Sequence, residues 1–287
     1  NAPSMVADIN PNGNSYPTYL TVFNNELYFR AYDGTNGEEL WKHDGVNAPS
    51  MVADINPNGN SYPTYLTVFN NELYFRAYDG TNGEELWKYD GVNAPSMVAD
   101  INPIGSSIPD QFTVFNNELY FRADDGSNGY ELWKYDGTNA PSMVADINPS
   151  GYSNPYYLTV FNSELYFRAY NGNSVDLWKY DGTNAPSIDV NLGASGLTVF
   201  NNELCFYADD GMYGAELWTY DGTNTPYMVG DINPSGDSYP DQLTVFNNEL
   251  YFSADDGTNG RELWKYDGTN APSMVADINP NGNSYPT

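Results

Sequence analysis

The most conspicuous chemical groups in this chain are carboxylates that recur in short polar loops. Asp79, Glu84 and Glu85 stand close together, and Asp100 follows one strand-length later. The richest version is Asp124-Asp125-Gly126-Ser127-Asn128-Gly129-Tyr130-Glu131, and related pairs occur at Asp209-Asp210 and Asp255-Asp256. Hard oxygen donors gathered in this way can hold calcium, although the spacing is not that of an EF-hand loop. The plainer reading is a solvated acidic rim. No other cofactor is expected. A second set is aromatic: Tyr16, Tyr62, Tyr152, Tyr239 and Tyr285 lie in loops among Asn, Asp, Ser and Gly. Rings for stacking beside short hydrogen-bonding side chains are the chemistry of a sugar site. Internal repetition would make such a protein multivalent.

Groups for catalysis are scarce. A Ser-His-Asp triad needs a histidine, and the single one, His43, stands where other copies carry Tyr89, Tyr135, Tyr180, Tyr220 and Tyr266. It reads as a drifted tyrosine. The single cysteine, Cys205, replaces a tyrosine (Tyr74, Tyr120) in a strand and reads as a packed thiol. No zincin, nucleophile-elbow, phosphate-loop or dinucleotide motif is present. Carboxylate pairs can hydrolyse glycosides, but near-identical copies single out no one pair. No enzyme activity is expected.

What positions these groups is a repeat. Residues 1–46 return almost unchanged at 47–92, and diverged copies fill 93–138, 139–183, 184–223 and 224–269. A partial copy, 270–287, is identical to residues 1–18. Within a copy, apolar residues alternate with the period of strands. Leu66 to Phe69 forms one strand; Asn70-Asn71 makes a two-residue hairpin turn, since asparagine accepts positive φ. Leu73 to Ala77, Glu85 to Tyr89 and Ser96 to Ile101 form the next three. Pro and Gly mark the boundaries, and no helical pattern of useful length occurs. Four short antiparallel strands per period of about 46 residues predict an all-β fold, a single six-bladed β-propeller over 1–287.

The innermost strand in this reading is Leu66–Phe69 and the outermost Ser96–Ile101, so each repeat spans parts of two blades. Seven candidates then exist for six outer positions. Residues 273–278 can complete the last blade by continuation, or residues 4–9 can pair there and clasp the ring. The spare strand is free to add to a sheet edge of another molecule. The single tryptophan of each copy, Trp87 for example, suits packing between blades. Asp90 and its counterparts, each before a glycine, suit capping of their own turns.

The run Glu85-Leu86-Trp87-Lys88-Tyr89-Asp90-Gly91, with its counterparts, resembles the bacterial ELWxxDGT-repeat proteins. The stretches Asp54 to Pro63 and Leu66 to Phe75 resemble the same family's pattern. The resemblance covers the whole chain and implies a secreted or cell-surface bacterial propeller without enzyme activity. The copy at 184–223 departs from it, with Ser187 to Gly193 lacking the proline after asparagine.

Acidic residues number 38 against 10 basic, a net charge of −28. Such a surface repels phosphate backbones and anionic lipid, so nucleic acid is not an expected partner. No apolar run reaches the length needed to cross a bilayer, so membrane insertion is not expected either. The sequence shows no signal peptide at Asn1, so any secretion signal is expected to have been removed already or never to have been part of this stretch. The expected role is a structural or adhesion module outside the cell that associates with itself as an oligomer or filament through the surplus strand. The alternative is a lectin-like protein, calcium-dependent or not.

Overall fold

The structure is a computed structural model and describes residues 2–280 and 282–286. The described residues hold six four-stranded antiparallel sheets, each ordered along the chain from inner to outer strand. These blades run over residues 18–53, 64–99, 110–145, 156–190, 195–230 and 241–276. The chain divides into two compact units, residues 1–152 and 153–287, with three blades in each.

Blade two shows how the repeat becomes a sheet. Its strands are Thr64–Phe69, Glu72–Tyr78, Glu84–Tyr89 and Ser96–Ala99. The first turn is Asn70-Asn71 with φ of 46° and 59°. Two consecutive left-handed residues twist with the strands, which is why asparagine recurs there. A bulge interrupts the inner strand between Thr64 and Thr67 and puts Tyr65 at φ 58°, so the strand bends at the end where its loop tyrosines begin. The middle strand is buried on both faces, with Leu73, Tyr74, Phe75 and Ala77 all at 0% exposure. A strand flanked by sheets on both sides reads as a continuous apolar run.

Each blade therefore has two different faces. One, here termed the donor face, carries Phe23, Tyr28, Leu40 and Val52 in blade one. The other, the acceptor face, carries Leu66, Leu73, Phe75, Ala77, Trp87 and Tyr89 in blade two. Donor meets acceptor in one cluster, and the arrangement repeats between blades two and three, four and five, and five and six. The donor phenylalanine sits over the Asp-Gly turn of the next blade. At Gly137, φ +87°, an added Cβ would lie 2.9 Å from the Asn70 amide and 3.6 Å from the Phe69 ring.

Between blades the chain crosses in a linker of the DINPxGxSxP type. Asn56 is 4% exposed and bonds the Asn60 carbonyl at 2.9 Å, which closes the linker on itself. The shortened linker after blade four makes tight turns instead, Leu192 N to Val190 O at 2.9 Å and Ala194 N to Leu192 O at 2.8 Å. Residues 273–276 form the outer strand of blade six by continuation, while residues 4–9 form no strand.

Candidate functional site

The acidic loops are built from the turn outward. Asp79 accepts the amides of Thr81 and Asn82, both at 2.8 Å, and the Asn82 side-chain amide at 2.6 Å. Asp125 and Asp256 repeat the pattern with Asn128 and Asn259. Burial raises these three carboxyls, and their amide donors outweigh it, so each lies below its ordinary range. Asp210 accepts from Met212 and Tyr213. Asp124, Asp209 and Asp255 each take the amide of a glycine two residues on. Glu84 pairs with Arg76 at 3.1 Å. These oxygens are thus engaged by their own loops, and no group of three or more Asp, Glu, His or Cys among the described residues is placed to hold a metal ion. Glu84 and Asp100 line one cleft of about 480 Å³ together with Tyr78 and Ser106, whereas Asp79 and Glu85 do not line it.

Glu131 belongs elsewhere. It is fully buried, and its carboxylate accepts the Ile147 amide at 3.1 Å. Glu85 shows the complete arrangement: its two oxygens take Ile101 N at 3.0 Å, Ser107 N at 2.9 Å and Ser107 Oγ at 2.6 Å. Glu39, Glu216 and Glu262 hold their own linkers similarly. Burial pushes Glu39 up to about 7 and raises Glu85 and Glu216 as well. Sequence reasoning placed such glutamates at an acidic rim. The signal it overlooked is the pairing of each glutamate with a GxSxP serine one linker later. Blade four confirms the coupling: it carries Asp176, one methylene shorter, where the following linker is the shortened one.

The loop tyrosines stand where a ligand can reach them. Tyr16, Tyr62, Tyr152 and Tyr239 are all exposed, Tyr16 most at 60%. Tyr16, Tyr62, Tyr239 and Tyr285 have positive φ, 44–49°, an uncommon backbone setting for a bulky residue. The Tyr62 hydroxyl accepts from Asn60 at 2.6 Å and that of Tyr285 from Asn283 at 2.8 Å. Tyr239 and Tyr285 converge with Tyr157 and Tyr207 around a cleft of about 420 Å³ in the unit of residues 153–287. Asp241, Gln242, Ser253 and Arg261 supply its polar lining.

Blades one and six each present a face whose counterparts are covered at the junctions within the two units. Phe23, Phe69, Phe115, Phe161 and Phe200 are each 3% exposed, but their counterpart Phe246 is 60% exposed. On blade one, Leu20 is 60% exposed where Leu66, Leu158 and Leu197 are 9%. An added Cβ on Gly45, the counterpart of Gly137, would meet nothing within 4 Å. The acceptor face of blade one borders an apolar groove of about 370 Å³ lined by Leu20, Leu27, Phe29 and His43, with Val6 and Ile9 along one side.

No family model matches the chain, and no curated protein does. Solved structures resemble it in fold. The β-propeller domain of the Trilobed protease from Pyrococcus furiosus, described as having an open velcro topology, aligns at 12% identity with a TM-score of 0.55, over 92% of this chain and 84% of that one. Pyrococcus horikoshii acylaminoacyl peptidase aligns at 10% identity with a TM-score of 0.54, over 92% of this chain and 46% of its own. At these identities the likeness is one of architecture. Six four-stranded blades and these alignments together establish a six-bladed β-propeller fold.

Proposed function

We propose that the chain is a non-enzymatic structural module, held outside a bacterial cell, that associates head to tail with further copies of itself. The observation that carries this reading is Phe246. Phe23, Phe69, Phe161 and Phe200 at its position are buried against the next blade, and this one is open to solvent. The docking surface is complementary by construction. A blade-six donor face (Phe246, Tyr251, Leu263) has the composition of the donor faces of blades one and two, and the blade-one groove differs from the acceptor face of blade two only in His43 for Tyr89. A second copy is therefore the occupant whose side chains fit. Repeated heterologous contacts of this kind build rings or filaments. The location rests on the ELWxxDGT resemblance, and the charge of −28 keeps such assemblies soluble.

The route differs from a surplus strand adding to a sheet edge. Val6 and Ile9 line the blade-one groove at the positions that Val52 and Ile55 take on blade two. In an assembly the incoming Val275 and Ile278 compete with them. Sedimentation velocity over a concentration series tests the reading. The native chain is expected to shift to dimers and larger species, Phe246→Glu and Leu20→Glu to remain monomeric, and deletion of residues 1–9 to strengthen association. A native chain that stays monomeric throughout, or association unchanged in both variants, overturns it.

A further inference from the structure

The tyrosine-walled cleft of residues 153–287 differs electrically from its counterparts in the other unit. There, each arginine of the second strand has its own carboxylate: Arg30 with Glu38 at 2.9 Å, Arg76 with Glu84 at 3.1 Å, Arg122 with Asp110 at 2.7 Å. None of the three blades of residues 153–287 keeps this pairing, and blade five has Tyr207 and Ala215 at the two positions. Val175 stands in register where blade two has Glu84, so Arg168 faces no acid, and its Nε is buried without a hydrogen-bond partner. In blade six the guanidinium has changed strands: Ser253 occupies the arginine position and Arg261 the glutamate position. Arg261 Nη1 bonds the Tyr239 carbonyl at 2.9 Å and Ser253 Oγ at 3.2 Å. That leaves the rest of its donor fork beside the cleft, and among the described residues no carboxylate lies within ion-pair distance.

We propose that this cleft binds an acidic saccharide, with a hexuronate carboxylate on Arg261 and the pyranose ring against the tyrosines. The planar guanidinium fork matches a carboxylate in two-point geometry. Tyrosine offers an apolar ring face with a polar tip, which suits a sugar ring. Gln242 and Ser253 are short polar partners for hydroxyls. The volume of about 420 Å³ falls in the roughly 300–1,000 Å³ span of small-molecule sites. The net charge of −28 opposes an anion at long range, but screening at physiological salt cuts exposed charges off beyond about 8 Å, leaving local groups to decide. Asp241 is the one carboxylate lining the cleft, so it opposes the ligand and sets its orientation. This site lies at the Asp241 end of the inner strand and the exposed Phe246 at the other, so binding and self-association are tested separately.

Calorimetric titration of the full chain with digalacturonate and with neutral digalactose decides the matter. Digalacturonate is expected to bind at least about tenfold more tightly, given the strength of charge-assisted hydrogen bonds. Arg261→Gln is expected to remove that preference with melting temperature retained. Asp241→Asn is expected to tighten digalacturonate binding, a gain that misfolding cannot produce. Equal affinity for the two sugars, binding of neither, no gain from Asp241→Asn, or tighter binding of a short peptide through its terminal carboxylate overturns the proposal.

Discussion

The carboxylate of Glu85 grips Ser107 twice, taking its amide at 2.9 Å and its hydroxyl at 2.6 Å, although 22 residues separate them. Both residues are fully buried. The glutamate lies on the third strand of blade two and the serine on the linker that enters blade three, so this contact fixes where the next inner strand begins. Ser107→Ala removes one of three donors to a buried carboxylate. The expected cost is about 1–3 kcal/mol, read as a fall in the denaturation midpoint at unchanged slope. An unchanged midpoint would mean that the linker is held by its apolar residues alone.

The same glutamates set the pH at which the fold is most stable. Burial raises Glu39 to about 7, and raises Glu85 and Glu216. A carboxyl raised on folding binds more protons in the native state, so its contribution to stability grows as pH falls from about 7 towards its ordinary 4.5. The turn aspartates act oppositely. Hydrogen bonds from Asn47 lower Asp44 to about 2, and Asp90, Asp136, Asp181 and Asp267 are lowered by equivalent bonds. Their contribution is complete above their ordinary 3.8 and disappears as pH drops through the lowered values. The melting temperature is expected to rise from pH 8 to pH 5 and to fall below pH 3. A maximum at pH 7 or above would contradict the buried-glutamate account.

Much of this architecture was legible in the sequence. The 46-residue period, the Asn-Asn turns and the strand alternation each follow from local rules, and the structure carries them at the expected places. The turn-capping role of Asp90 and its counterparts followed from Asp-Gly chemistry alone. What escaped was non-local. Glu84 and Glu85 are adjacent and chemically alike, but one pairs with Arg76 near the surface and the other is buried under a linker. Strand alternation separates their faces without saying which face a linker will cover. Likewise, Phe246 carries the same local pattern as Phe69. Its exposure depends on which blade faces it, and a repeat unit does not encode its neighbour.

That pair of phenylalanines yields a direct contrast. Phe69 is 3% exposed and packs on Tyr74 with ring centroids 5.6 Å apart. Phe69→Ala is expected to destabilise the fold by about 3–5 kcal/mol. Phe246, 60% exposed, should cost the isolated chain no more than about 0.5 kcal/mol on the same substitution. Chemical denaturation of both variants at high dilution measures the difference. Equal costs would mean that Phe246 is covered within its own chain.

His43 is the only histidine in the sequence. At three inner junctions this position is tyrosine and meets a tyrosine of the preceding blade: Tyr28 with Tyr89 and Tyr74 with Tyr135 at 5.8 Å, Tyr166 with Tyr220 at 6.4 Å. His43 instead lines the open groove of blade one, and its Nδ1 has no hydrogen-bond partner. In a head-to-tail contact its counterpart is Tyr251, whose hydroxyl already donates to Glu249 at 2.7 Å. The terminal acceptor face is thus a weaker version of the inner ones, lacking one ring pair. His43→Tyr restores it. Aromatic pairs contribute about 0.5–1.5 kcal/mol beyond area burial, which corresponds to roughly 2- to 10-fold tighter association. Sedimentation equilibrium of the two chains measures the change. Tighter association in His43→Tyr, cancelled when Phe246→Glu is added, is the expected pattern; a gain that survives Phe246→Glu would place the contact on some other surface.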